Sequence, residues 1–222
     1  MVAPFHPILE LAVANKGGME ALEQLLPTPL PPEELAAIPD DRWLSMMTKR
    51  IFQSGFVWYV IEAKWPGFED AFEGFEPRRV AMYGDEDLDR LISDARIVRN
   101  GAKIRSAIEN AGFLTALAEE GGSAAKVFAA WPDEDYIGLL DMLKKRGSRL
   151  GGNTGQYVMR SMGKPAFVLS KDVVAALIRE GVVDKPPTSK SALAAVQDAF
   201  SHWSQETGRD LSALSRILAA SV

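Results

Sequence analysis

The chain has 222 residues, of which 47% are hydrophobic and 25% charged, and this ordinary globular composition excludes wholesale disorder. The absence of cysteine excludes a disulfide framework, a thiol nucleophile and a cysteine-ligated metal site, and two histidines are too few for a histidine-rich one. We predict no signal peptide, because residues 1–16 lack a basic region followed by an apolar core, and no membrane span, because no apolar run approaches about 18 residues. We therefore expect a cytoplasmic protein. The net charge of −5 disfavours a general nucleic-acid binder.

Helical periodicity runs through almost the whole chain, and no stretch shows the alternation typical of a strand. The first elements predicted are an apolar helical segment interrupted at 16–18, a proline-rich connection over 26–32, and a helix capped by an aspartate of the Asp40-Asp41 pair. Further helices are predicted at 56–64, 67–72, 77–82, 85–92, 99–119, 124–130, 133–146, 154–162, 171–180, 188–205 and 210–219. Many short helices with short connections predict an irregular all-α fold.

Positive charge is concentrated in one part of this acidic chain. Residues 142–171 contain seven basic side chains and no acidic one. The seven are Lys144, Lys145, Arg146, Arg149, Arg160, Lys164 and Lys171. A second acid-free patch holds Arg96, Arg99, Lys103 and Arg105. Because local charge sets what a surface attracts, contact with a polyanion and a merely solvated helix end are both open interpretations.

The segment 143–158 predicts two helices joined by a tight glycine turn. Gly151 and Gly152 permit positive φ and close backbone approach, and Asn153 and Thr154 open the second helix, whose N-terminal N–H groups suit a phosphate. The flanking side chains that would add electrostatic attraction are Lys144, Lys145 and Arg149. This pattern is typical of a helix-hairpin-helix clamp on a DNA backbone, although a plain turn between helices has the same glycine spacing.

Two further segments carry a family resemblance. The segment 52–58 contains the element Gln-x-Gly-x-x-Trp, and the segment 97–104 reads Ile-Val-Arg-Asn-x-x-Lys-Ile. In order and spacing these elements and the hairpin resemble the DNA-3-methyladenine glycosylase I family of the helix-hairpin-helix glycosylase superfamily. The resemblance runs from about residue 43 to 176. Residues before 43 match poorly, and the tail from 188 lies outside it.

The resemblance implies an all-α, helix-hairpin-helix glycosylase-like fold of two helical lobes with a cleft between them. We expect one such domain over 1–222, with an N-terminal extension of unclear role over 1–40 and a C-terminal helical hairpin over 188–222. The implied activity is that of an enzyme that flips an alkylated base out of double-stranded DNA and hydrolyses its N-glycosidic bond, with no cofactor. We expect a monomer with no membrane partner. The enzyme would be monofunctional, because Asn153 stands where bifunctional relatives have a Schiff-base lysine.

The resemblance also implies the residues of a base pocket. Trp58 matches the family's stacking tryptophan, Phe52 is assigned to the same pocket, and Phe56 holds the position of the wedge that fills the gap left by a flipped base. For these aromatic residues an ordinary core position is the alternative. The family's base-recognising glutamate aligns with Arg50, whose charge would repel a cationic base.

The candidate catalytic carboxylate is Asp172, which lies where the superfamily has an aspartate after the hairpin, although the superfamily position itself aligns with Ser170. The alternative is that Asp172 caps or begins the helix predicted at 171–180. Glu62 is a weaker candidate for a pocket carboxylate. Because Asp172 also aligns with a zinc-ligating histidine of the family and the chain has no cysteine, no metal is expected.

Two other functions stay open at this point. One is a non-catalytic DNA-binding relative that keeps the clamp and has lost excision. The other is a helical protein-interaction module with no role on DNA.

Overall fold

The computed structural model describes residues 2–222, of which 70% are helical and none forms a strand, so the predicted all-α class is confirmed. The helices of this described chain are α1 His6–Lys16, α2 Met19–Glu23, α3 Pro32–Ala37, α4 Asp40–Gln53, α5 Trp58–Ala71, α6 Pro77–Val80, α7 Asp85–Ser93, α8 Gly101–Gly121, α9 Ala124–Ala130, α10 Tyr136–Arg146, α11 Asn153–Met162, α12 Lys171–Arg179, α13 Lys190–Thr207 and α14 Leu211–Ala220. None of them is long and apolar enough to cross a membrane.

The chain forms two compact units that alternate along the sequence. Unit 1 contains the residues up to 30, 131–139 and 163–222, and unit 2 contains 31–130 and 140–162. The number of units matches the two lobes expected. The cleft between lobes, and the division into one domain with an extension over 1–40 and a hairpin over 188–222, stay predictions.

Unit 1 is built from the two ends of the chain. Helix α14 packs against α1, α12 and α13, and the α13–α14 turn is made by Gly208, whose φ of 68° is left-handed. Phe5 and Trp203 are fully buried with ring centres 5.5 Å apart, and Phe167 stacks on Phe200 at 4.3 Å. The N-terminal segment therefore supplies core to this unit.

Unit 2 is organised around the amphipathic helix α4, which packs against α5, α8 and α11. Its apolar face is completely buried at Trp43, Leu44 and Met47, and the Trp43 ring lies 4.6 Å from that of Phe128 in α9. The opposite, polar face of the C-terminal half of α4 is thereby free to carry functional side chains.

Three local predictions differ from the structure. Pro39, not an aspartate, is the N-cap of α4, and the Asp40 carboxylate instead accepts hydrogen bonds of 3.0 Å from the N–H groups of Ala124 and Ala125, where it caps α9. The helices predicted at 56–64 and 67–72 are one continuous helix, α5. Helix α3 was not predicted, because its first residue belongs to the proline-rich connection, although proline at a first helical position followed by two glutamates favours a helix start.

Candidate active site

The hairpin predicted at 143–158 is present, and its bend lies at the surface of unit 2. Helix α10 ends at Arg146, α11 begins at Asn153, and Leu150 anchors the connection as its buried residue. Arg149, Gly152 and Asn153 are exposed. Gly152 has a φ of 58°, and Arg149 has the same left-handed value without being glycine. The N-terminus of α11 is therefore accessible to a phosphate group.

A buried asparagine holds the bend from beneath. Asn110 of α8 is fully buried, and its Oδ1 accepts a 2.7 Å hydrogen bond from Ser148 N while its Nδ2 donates one of 3.0 Å to Ser148 O. On the other side of the bend, a Cβ on Gly155 would lie 2.4 Å from the Leu150 carbonyl oxygen. The hairpin geometry thus depends on the two hydrogen bonds of the Asn110 side chain and on the close approach of Gly155 to the Leu150 carbonyl oxygen, which requires glycine.

The basic window is partly neutralised by acidic residues from outside it. Lys145 pairs with an aspartate one turn earlier in α10, Arg146 pairs with a glutamate of α8, and Lys164 is buried against an aspartate of its own unit. Lys144 and Arg149 are exposed, and neither forms an ion pair within the described chain. The cations free to meet a polyanion at the bend are thus fewer than the sequence count indicates.

The hairpin contributes to a pocket with a cavity volume of about 110 Å³. The pocket is lined by Arg50, Gln53, Ser54, Trp58, Asn153, Thr154 and Tyr157. Four of the predicted site residues are thereby brought together: Arg50 and Trp58 from the base-pocket set, and Asn153 and Thr154 from the hairpin. The indole of Trp58 is half exposed, so one part of its ring is open to a ligand.

Arg50 is held firmly at the back of this pocket. Its Nη1 donates to Gln53 Oε1 at 2.9 Å and its Nη2 donates to Ser161 Oγ at 2.6 Å. The guanidinium carbon lies 5.1 Å from the Trp58 ring centre and 5.9 Å from that of Tyr157, and the two rings meet edge to face. Two hydrogen bonds and two cation–π contacts therefore fix the charge between the aromatic rings.

Glu62, the weaker carboxylate candidate, is not among the lining residues. Its Oε1 accepts a 2.8 Å hydrogen bond from Gln53 Nε2, and its Oε2 pairs with Lys49 Nζ at 2.7 Å. Burial lowers the pKa of the Arg50 guanidinium, and the charge of Glu62 acts in the opposite direction. Arginine keeps its proton at neutral pH, so the pocket carries a positive charge.

Lys103 connects the two motif segments on which the family resemblance rests. It lies in α8, whose N-terminus is capped by Asn100, and its Nζ donates to Ser54 O at 2.7 Å and to Phe52 O at 3.2 Å. Burial, and then the nearby charge of Arg149, lower the pKa of Lys103. The lysine thus anchors the loop that leads into Trp58.

The remaining predicted residues lie outside the pocket lining. The Phe52 ring is fully buried, 4.7 Å from Phe68, so it supports the loop from below. Phe56 is 45% exposed next to the more exposed Val57 and Tyr59, and its role as a wedge stays a prediction. Asp172 is the exposed second residue of α12, where Ser170 is the N-cap, and its catalytic role stays a prediction.

Sequence reasoning did not assign Tyr157, Gln53, Ser161 or Asn110 to the site. Helical spacing contained part of the signal, because Gln53 lies three residues after Arg50 and Tyr157 lies four after Asn153, which places each pair on one face. The role of Asn110 had no local signal, because its partner Ser148 is 38 residues away.

Comparison with known proteins finds similarity to methyladenine glycosylases. The family model for methyladenine glycosylase matches residues 36–139. The DNA-3-methyladenine glycosylase 1 of Escherichia coli (strain K12) is 37% identical over 59 residues, which are 27% of this chain and 32% of that protein. The DNA-3-methyladenine glycosylase of Haemophilus influenzae is 25% identical over 130 residues, 50% of this chain and 70% of that protein.

The chain is thus similar to methyladenine glycosylases over about half of its length. A 3-methyladenine DNA glycosylase I from Staphylococcus aureus has the same fold, with a TM-score of 0.52 and 22% identity over 62% of this chain and 80% of that one. A glutamate-to-glutamine mutant of the Staphylococcus aureus enzyme gives a TM-score of 0.52 and 19% identity over 80% of this chain and 99% of that one. The match to the Escherichia coli enzyme spans about a third of its length.

The zinc site that the family resemblance implies does not fit the residues of this chain. The sequence has no cysteine, and residues 2–222 contain no cluster of three or more histidine, aspartate or glutamate side chains able to hold a metal ion. The position aligned with a zinc-ligating histidine is the exposed Asp172.

Proposed function

We propose that the protein is a monofunctional DNA glycosylase of base-excision repair, which flips a modified base out of double-stranded DNA and hydrolyses its N-glycosidic bond. The observation that carries the proposal is that Asn153 and Thr154, at the N-terminus of the hairpin's second helix, line the same pocket as Trp58. A phosphate at that helix terminus would hold one nucleotide directly beside an accessible indole.

DNA binding follows from the surface of the hairpin. The N-terminus of α11 presents a partial positive charge, and Lys144 and Arg149 add full charges next to the bend. Phe56 is 45% exposed two residues before Trp58, and it would fill the space in the duplex that the flipped base leaves.

Hydrolysis breaks the bond between C1′ and the base nitrogen, and the electron pair leaves with the base. A water oxygen then bonds to C1′ and releases a proton, which leaves an abasic site. Asp172 is proposed as the carboxylate that stabilises the oxocarbenium-like transition state and orients the water. Asn153 has no amine for a Schiff base, so strand cleavage is not part of the reaction. We also propose that the protein is a cytoplasmic monomer with no membrane partner.

A base-release assay tests the activity. Methylated duplex DNA and duplexes with single modified bases are incubated with excess protein, and free base and alkali-labile sites are quantified. We expect free base from at least one substrate, with intact strands before alkali treatment. Asp172→Asn should lower the rate by about 100-fold or more, whereas Asp184→Asn, which removes another exposed carboxylate, should not.

A binding titration tests the DNA interface. Substituting both Lys144 and Arg149 by glutamine should weaken affinity for undamaged duplex and reduce the slope of log affinity against log salt by roughly 0.9 per lost phosphate contact. Arg216→Gln removes an exposed charge from α14 and serves as the matched control. Salt-dependent binding without release of any base would favour a non-catalytic relative, and binding insensitive to salt would favour an interaction module.

A further inference from the structure

The position of Arg50 in the pocket leads to an inference about the substrate class, and this inference rests on the proposed function. We infer that the pocket selects an uncharged modified base bearing a carbonyl oxygen over a positively charged alkylated base. The lining of the pocket contains this guanidinium and no carboxylate. A cationic base beside it would be repelled, whereas a carbonyl oxygen would be attracted.

The guanidinium has hydrogen-bonding capacity left for a ligand. It carries five N–H groups. One on Nη1 is used by Gln53 and one on Nη2 by Ser161, and Nε is buried with no partner. One further N–H remains on each terminal nitrogen. An arginine in this state resembles the side chain that reads carbonyl and ring-nitrogen acceptors of guanine in DNA recognition.

The charge cannot simply move aside to admit a cation. The side chain is half buried, it lies between the Trp58 and Tyr157 rings, and its two side-chain hydrogen bonds reach opposite partners in α4 and α11. The neighbouring carboxylate of Glu62 is itself shared between Gln53 and Lys49. A base that enters the pocket therefore meets a fixed positive charge.

The same charge assists the departure of an uncharged base. When the C1′–N bond of such a base breaks, the electron pair makes the leaving base an anion, which later takes a proton from solvent. A fixed guanidinium stabilises this developing negative charge in the transition state. A cationic alkylated base leaves as a neutral molecule, so the guanidinium opposes its binding and has no negative charge to stabilise.

Four duplexes separate the effect of charge from that of the carbonyl group. Hypoxanthine and 8-oxoguanine are uncharged and carry a carbonyl, 7-methylguanine carries a carbonyl and a positive charge, and 3-methyladenine carries a positive charge alone. Under single-turnover conditions the wild-type protein should release the two uncharged bases at least about tenfold faster, relative to spontaneous loss, than the two cationic ones. Equal or preferred release of the cationic bases would overturn the inference and leave the proposed glycosylase activity standing.

Substitution of Arg50 supplies the second arm. Arg50→Gln should lower release of hypoxanthine by about 100-fold and leave release of 3-methyladenine unchanged or faster, and Arg50→Lys, which keeps the charge, should restore part of the lost rate. Arg216→Gln is the control. Unchanged selectivity in a folded Arg50→Gln variant would also overturn the inference.

A binding readout covers the case in which no base is released, which would refute the proposed function by itself. Duplexes with a 2′-fluoro sugar at the lesion resist cleavage, and the wild-type protein should bind the hypoxanthine form more tightly than the 7-methylguanine form. The difference should disappear in Arg50→Gln. Equal affinity in the wild type would contradict the inference independently of catalysis.

Discussion

Replacing Asn110 by alanine tests how the hairpin is held in place. The substitution removes the 2.7 Å and 3.0 Å hydrogen bonds to the backbone N–H and C=O of Ser148. A buried polar group that loses its partner costs about 1–3 kcal/mol, and since the two bonds are part-buried we expect about 2–4 kcal/mol in total. For a chain of this size that corresponds to a fall in melting temperature of roughly 4–16 °C.

The assay combines thermal unfolding, followed by circular dichroism, with duplex binding followed by fluorescence anisotropy. Glu109→Ala is the matched control, because Glu109 is the exposed preceding residue of the same helix. Binding by Asn110→Ala, measured well below its melting temperature, should weaken at least about fivefold, since the bend that presents the N-terminus of α11 is no longer fixed. A free energy of unfolding within about 0.5 kcal/mol of the wild-type value, together with unchanged duplex affinity, would show that Asn110 does not hold the hairpin bend in place.

Three further outcomes are expected. Trp58→Ala should abolish base release and Trp58→Phe should keep part of it, because the half-exposed indole is proposed to stack on the base. The affinity for undamaged duplex should change little in both variants. Base release by Trp58→Ala at the wild-type rate would refute the stacking role. Gly155→Ala should lower the free energy of unfolding by about 2 kcal/mol or more in urea titrations, since its Cβ would lie 2.4 Å from the Leu150 carbonyl oxygen. Burial, and the hydrogen bond to Glu73, raise the pKa of Tyr83 to about 12, so the stability from its neutral phenol is present below the ordinary value of 10.0 and is lost as pH rises towards 12. As the pH rises over this range, the urea midpoint of Tyr83→Phe should therefore fall less than that of the wild type.

Features with a local cause were readable from the sequence. The bend of the hairpin was predicted accurately, because a glycine-rich break between two helical segments determines where one helix ends and the next begins. Helix α10 ends at the predicted residue Arg146, and α11 begins one residue before the predicted start. The interruption near Gly17 and the turn at Gly208 follow from left-handed φ values that glycine adopts without strain. The all-α class follows from the same periodicity.

Features that depend on distant partners were not readable in this way. The prediction that an aspartate caps α4 was wrong, because the Asp40 carboxylate caps α9, which begins 84 residues later in the chain. The effective charge at the bend was overestimated, because Lys145 and Arg146 meet acidic residues that lie outside the window counted. The family resemblance identified Arg50 as a departure, and only the contacts with Trp58 show that its charge is fixed inside the pocket.

A structure of the protein bound to a duplex with a 2′-fluoro hypoxanthine nucleotide tests the central claim most directly. We expect the base to lie outside the helix and against the Trp58 ring, at a contact distance of about 4 Å, with an adjacent phosphate at the N-terminus of α11. We also expect a hydrogen bond from an Arg50 terminal nitrogen to the base carbonyl. A lesion that stays stacked in the duplex, with no phosphate at residues 152–154, would contradict the account.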